Sequence, residues 1–179
     1  MWLCWAIYWW AASRNVKAAA RRESLQSRIS HLTPLVIAVI LISPNRFPVP
    51  ILGRRFLPYP GYFFWIGAML TLAGLLFTAW ARTHLGRNWS GLVTIKQDHE
   101  LITSGPYSIV RHPIYTGLLL AFVGSALARS ELRGILAVVL VFWALWRKLR
   151  IEERWMLDQF GDAYREYSGR VAALIPFVL

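Results

Sequence analysis

Residues 62–81 read YFFWIGAMLTLAGLLFTAWA, twenty consecutive positions without a formal charge. At 1.5 Å of rise per residue such a helix covers about 30 Å, the thickness of the hydrocarbon core of a bilayer. The run predicts a transmembrane helix, and that decides how the remainder of the 179-residue chain is read.

Working outward, four more apolar segments occupy 1–12, 32–43 with a Pro-rich extension towards 52, 113–128 and 134–146. Only Arg129, Ser130, Glu131, Leu132 and Arg133 separate the last two, which predicts an antiparallel helical hairpin. The N-terminus is apolar first and basic afterwards, the reverse of a cleaved secretory signal, so it is read as a retained first helix. The fold class expected is all-α: a polytopic integral membrane protein with about five transmembrane helices in a single membrane domain, 1–179. No internal repeat or low-complexity tract interrupts it.

Composition agrees. Apolar residues make up 56% of the chain, Trp occurs 10 times, and the net charge is +11. A basic chain invites a nucleic-acid reading, but here the Lys and Arg residues cluster between apolar segments instead of along one polar face, and no nucleic-acid partner is expected. If all five segments cross, 15 of the 20 basic residues fall on one side of the membrane and 5 on the other. By the positive-inside tendency the 82–112 loop and the C-terminal tail then face the cytoplasm, with the N-terminus outside. Cys4 is the only cysteine, so one chain can build neither a disulfide framework nor a thiolate zinc site, and no metal is expected.

The tail differs from the rest. Glu152, Glu153, Asp158, Asp162 and Glu166 are five of the nine acidic residues. Ile151, Trp155, Leu157 and Phe160 give the stretch an apolar face at helical spacing, Gly161 breaks or caps that helix, and Pro176 ends the structured part. A cytoplasmic helical cap over the membrane bundle is the expectation. Gly67 and Gly74, with Ala68 and Ala73 nearby, are read as allowing close helix packing.

Two loops carry the candidate chemistry. In 84–102, HLGRNWSGLVTIKQDHELI, Gly86 and Asn88 signal a turn, Trp89 is an interfacial aromatic, and Val93 to Ile95 suit a short extended piece. In 105–117, GPYSIVRHPIYTG, Pro113 suits the first turn of a helix. Taken singly, Arg111 reads as a snorkelling anchor, and Tyr107 and Tyr115 as interfacial aromatics. Together with His112 they form a set of donors at a helix mouth able to hold a carboxylate or a cofactor. Glu152 and Glu153, directly after an apolar helix, read either as a solvated helix face beside Arg150 and Arg154 or as a site for a cationic ligand group, an ammonium or sulfonium.

The motifs LGRNWS, HELITSGPYSIVRHPIYTG and EERWMLDQFGDAYREYSGRVAALIP, in this order across residues 84–176, resemble the isoprenylcysteine carboxyl methyltransferase family of integral-membrane, S-adenosylmethionine-dependent enzymes. The resemblance covers about half the chain and leaves 1–60 as N-terminal helices and a basic loop. It implies an S-adenosylmethionine pocket formed by His99, Glu100, Leu101 and Ile102, by Tyr107, and by His112, Pro113, Ile114 and Tyr115, with Glu153 a further member. It implies Glu152 at the reaction centre, Arg111 orienting the methyl acceptor, and Lys148 on the substrate side where eukaryotic members carry arginine. The acceptor it implies is a prenylated or lipid-like carboxylate, with membrane lipids around the protein.

Four readings stay open on the sequence. Carboxyl O-methylation needs no general base, because a carboxylate with a pKa near ~3.5 is already ionised. N-methylation of an amine or phospholipid needs one, which Glu152, Glu153 or His112 would supply. A reductase resembling the sterol reductases would bind a nicotinamide cofactor, and a scaffold would use its basic loops for anionic lipids.

Overall fold

The computed structural model describes residues 1–14, 19–43, 49–58, 61–86, 89, 94–96 and 101–176. Six helices carry the fold: α1 Trp2–Ala12, α2 Leu25–Ile42, α3 Gly61–Leu85, α4 Pro113–Arg129, α5 Leu132–Phe160 and α6 Asp162–Arg170. Single 3-10 turns lie at Pro50–Gly53 and Gly105–Ser108. One short antiparallel pair, β1 Ala19–Arg22 with β2 Thr94–Lys96, departs from a wholly helical chain. It clips the basic loop after α1 to the loop after α3.

Each apolar segment lies in its own helix, but two boundaries differ from the sequence expectation. α2 begins at Leu25 instead of near 32, because Ser24 caps it by accepting a hydrogen bond from Ser27 N. Its first two turns are polar, so hydropathy alone does not register them. α5 runs unbroken for 29 residues, through the apolar 134–146 stretch and on into the amphipathic tail, before Gly161 ends it at φ +52°.

Among the described residues α2 and α3 are the helices long and apolar enough to cross a membrane on their own, and α4 is a shorter apolar helix. The outer faces of α2, α3 and α5 fit a bilayer. Val36, Ile40, Trp65, Met69, Leu76, Val139 and Trp143 all point outward and are exposed. An apolar belt of this extent is costly in water and matches the hydrocarbon of a bilayer.

α3 and α4 approach at backbone distance. A Cβ on Gly74 would sit 2.5 Å from Gly117 O, and one on Gly124 would sit 2.6 Å from Gly67 O. Four glycines, paired seven residues apart on each helix, therefore let the two backbones touch, the packing expected for Gly67 and Gly74. Thr71 Oγ1 hydrogen-bonds Gly67 O at 2.8 Å and lies 3.2 Å from Ser125 Oγ in the same seam. α1 lies against these helices, with Trp5 Nε1 donating to Thr78 Oγ1 at 2.6 Å and Trp2 Nε1 to Ser125 Oγ at 3.0 Å. The core of α2, α4 and α5 is apolar, built around Ala38, Leu41, Phe122, Val141, Leu145 and Leu149.

Polar contacts tie the helices together at both ends. At one end Arg82 donates to Ala12 O at 2.5 Å and to Gly86 O at 2.7 Å, and Arg147 donates to Ser30 Oγ at 2.7 Å. At the other end Arg54 to Phe56 pair with Ser130 to Leu132 through Phe56 N to Ser130 O, 2.9 Å, and Leu132 N to Arg54 O, 3.0 Å.

Candidate active site

The site lies where the first turn of α4, the polar half of α5 and the segment after α6 converge. Gly105 opens it at φ +59°, and a Cβ there would meet the His84 ring at 2.7 Å, so glycine is required twice over. His84 Nε2 lies 2.9 Å from Ser104 Oγ and fixes the same turn to the end of α3. Tyr107 follows, buried, with its carbonyl accepting the Tyr167 phenol at 2.6 Å. Burial raises the Tyr167 pKa to about 12, so its phenol remains a donor at neutral pH.

The chain then passes under the C-terminal segment. Arg111 N donates to Ala172 O at 2.8 Å and His112 N to Ala173 O at 3.0 Å. Pro113, fully buried, occupies the first position of α4, where no amide proton is needed. Thr116 Oγ1 adds a bond to Leu174 O at 2.6 Å. This backbone pairing, absent from any sequence motif, positions the side chains of Arg111, His112 and Tyr115.

Arg111 directs its charge into the protein. Nε lies 2.8 Å and Nη2 2.6 Å from the same oxygen, Oε1 of Glu153, while Nη1 donates to Ser168 O at 2.9 Å and to Val171 O. His112 lies between the two glutamates, Nε2 at 3.4 Å from Glu153 Oε1 and Nδ1 at 3.6 Å from Glu152 Oε2. The longer contact is electrostatic and not a hydrogen bond. Burial, the largest influence on Glu153, works against its charge. Hydrogen bonds and charge from His112 and Arg111 outweigh it and lower the pKa to about 2.

Glu152 is held differently. The Tyr115 hydroxyl lies 2.7 Å from both its oxygens, one proton shared between two acceptors. Lys148, one turn earlier on α5, puts Nζ 3.8 Å from Glu152 Oε1 and 5.4 Å from the Tyr115 ring centroid. On its other face Tyr115 stacks on His112, centroids 5.3 Å apart and planes 7° from parallel. The imidazole, phenol and ammonium thus form a layered group beside one carboxylate.

Of the residues singled out in the sequence, Arg111, His112, Tyr115, Lys148, Glu152 and Glu153 come together in this one cluster. Tyr107 instead turns its hydroxyl towards Ala81 O at the end of α3, 3.5 Å away, Pro113 sets the helix start, and Ile114 packs on the apolar core. Leu101 and Ile102 are half-buried on the loop leading in. His99 and Glu100 lie outside the described residues. The sequence did not point to Tyr164 and Tyr167, although their i, i+3 spacing on a short helix signals one buried face, and both are buried here. Nor did it point to Glu23 and His31, which lie in and before the polar first turns of α2.

A family model described as phospholipid methyltransferase matches residues 62–163. Among curated proteins, the chain is 31% identical over 115 residues to protein-S-isoprenylcysteine O-methyltransferase B of Arabidopsis thaliana, covering 63% of this chain and 58% of the relative. It is 33% identical over 115 residues to the cobalt-zinc-cadmium resistance protein CzcN of Cupriavidus metallidurans, covering 63% and 51%. The chain thus spans between about half and three-fifths of the length of these relatives. A solved structure of the eukaryotic intramembrane Ras methyltransferase, isoprenylcysteine carboxyl methyltransferase, superposes with a TM-score of 0.63 at 24% identity, covering 89% of this chain and 55% of that one. The two share a fold.

Proposed function

The chain belongs to the phospholipid methyltransferase family, and from that premise we propose that it is a membrane-embedded enzyme that methylates the carboxylate of a hydrophobic, isoprenylcysteine-like acceptor, with S-adenosylmethionine as donor. The observation that carries this reading is the Glu152 cluster. A carboxylate braced by Tyr115 and a lysine ammonium stand together where the apolar half of α5 gives way to its polar half.

The residues present fit the donor. Among the described residues Glu152 has one phenolic proton, a lysine 3.8 Å away and His112 Nδ1 at 3.6 Å to satisfy two oxygens, so it retains acceptor capacity for the ammonium of a methionine moiety. His112 offers beside it the ring face that is not stacked on Tyr115, suited to a sulfonium. When bound, S-adenosylmethionine supplies an electrophilic methyl group. The chain's own task is then alignment and exclusion of water.

In this reading Lys148 steers the acceptor carboxylate, since its ammonium lies at the end of the apolar stretch where a lipid tail would lie. Arg111, with its nitrogens already bonded to Glu153, Ser168 and Val171, acts as a positioning residue: it holds Glu153 and the C-terminal segment, and through them the His112 ring. No general base is required of the protein for this acceptor. The five apolar helices form the membrane bundle, α5 and α6 build the cap, and the basic ends that gather at Arg82 and Arg147 face the cytoplasm, where the donor is dissolved.

The description of the family favours a second reading, N-methylation of an amine lipid. His112, between two carboxylates, would take the amine proton there. Radiolabelled methyl transfer by the purified protein separates the two. A base-labile label on a small S-prenylcysteine acid supports the first. Label confined to an amine lipid supports the second, and no transfer to either overturns both.

A further inference from the structure

On the α2 side of the same cluster is a carboxylate–imidazole pair that nothing above uses. The His31 side chain is 1% exposed and that of Glu23 3%, with His31 Nε2 3.4 Å from Glu23 Oε1. Neither ring nitrogen of His31, nor Glu23 Oε1, has a hydrogen-bond partner among the described residues. Buried polar atoms in native proteins are rarely left so, and an orphan of this kind signals a missing partner. The pair is not loosely held. Ser27 Oγ donates to Glu23 Oε2 at 3.1 Å, and Ser30, next to His31, is tied to Arg147 on α5.

The chain itself places the pair beside the site: Ser30 accepts from Arg147 Nε at 2.7 Å, and Arg147 directly precedes Lys148, which lies one turn before Glu152 on α5. Lys148 and Glu152 are the two residues that frame the reaction centre from α5. With Nε2 turned to Glu23, Nδ1 is the atom left for a ligand. We propose that His31, oriented by Glu23, is an acceptor-binding residue: its Nδ1–H donates to the carboxylate of the hydrophobic methyl acceptor, across from Lys148.

This rests on the carboxylate reading of the site. Burial first, and then the charges of Lys148 and Arg147, work against a second proton on the ring while Glu23 works for it, and an acceptor carboxylate at Nδ1 adds the second anion that favours it. Binding then takes up one proton on the ring. Methylation removes the acceptor's charge, the ring returns that proton, and the ester product is held less tightly than the acid.

The test reads binding, so that an inactive wild type counts against the methyltransferase reading and leaves this one decidable. An S-farnesylcysteine carboxylate is titrated into detergent-solubilised protein saturated with S-adenosylhomocysteine, for wild type, His31→Ala, His31→Gln and Glu23→Gln. His31→Ala weakens acceptor binding at least tenfold while the dissociation constant for S-adenosylhomocysteine stays within twofold. His31→Gln, which keeps a donor, recovers part of the loss. Wild-type acceptor affinity falls as pH rises from about 6 to about 8 and that dependence is absent in His31→Gln. Unchanged acceptor affinity in His31→Ala, equal loss of both ligands, or a wild type that binds no acceptor overturns the proposal.

Discussion

The Tyr115 hydroxyl lies 2.7 Å from both carboxylate oxygens of Glu152, joining the first turn of α4 to the polar half of α5. One bond thus links the element that emerges from the loop to the element that carries the charges. Tyr115→Phe removes that proton and leaves the ring in place. A hydrogen bond to a charged group contributes about 1.5–3 kcal/mol, so turnover falls about ten- to a hundredfold while the stacking on His112 persists. Steady-state methyl transfer beside a thermal unfolding curve checks both halves of the expectation.

Arg111→Ala acts on stability first. It leaves Glu153, 22% exposed at its side chain, without its principal cation, and removes the bonds to Ser168 O and Val171 O. Removing one partner of a buried pair costs about 3–5 kcal/mol. Because the two side chains are one unit, the double variant Arg111→Ala with Glu153→Ala costs less than the sum of the single changes. Denaturation midpoints of the four proteins in one detergent measure the difference.

Glu153 also sets an acid limit. Its carboxyl titrates near 2 in the folded protein against an ordinary 4.5, so the folded state favours the ionised form. The resulting stabilisation is complete above about pH 4.5 and is lost as pH falls from there towards 2. Melting temperature measured across that window drops in the wild type and drops less in Glu153→Gln.

The α3–α4 seam has no room for a side chain at its four glycines. Gly74→Leu drives carbons into Gly117 O and the Ala121 backbone, both within 2.6 Å of a Cβ at that position, and costs about 3 kcal/mol, the upper end for overpacking. Gly169→Ala on α6, where a Cβ meets nothing within 4 Å, is neutral or slightly stabilising. Comparing the yields and melting temperatures of the two variants shows whether the backbones truly touch.

Most of the helical plan was legible because bilayer burial leaves a strong mark: twenty uncharged residues at 62–81 admit one reading, and 113–128 and 134–146 carry the same signal. The start of α2 was not legible, since its first turns depend on a Ser24 cap and on packing against α5, neither of which raises hydropathy. Arg111, His112 and Tyr115 were legible as donors at a helix mouth and Glu152 and Glu153 as carboxylates after an apolar helix, while Lys148 came only from the family resemblance. Their wiring was not legible. That Arg111 faces Glu153 and the carbonyls of Ser168 and Val171 follows from backbone pairing with Ala172 and Ala173, a contact some sixty residues distant in sequence. His31 gave only the weak signal of a lone histidine at the start of an apolar helix.

The measurement that bears most directly on this site is calorimetric binding of S-adenosylhomocysteine to the purified protein, wild type beside Glu152→Ala. Micromolar binding in the wild type, weakened at least tenfold in Glu152→Ala while both proteins melt cooperatively, is the result expected of a methyl-donor pocket built on Glu152. A folded wild type that binds none, or a Glu152→Ala protein that binds as tightly as wild type, contradicts it.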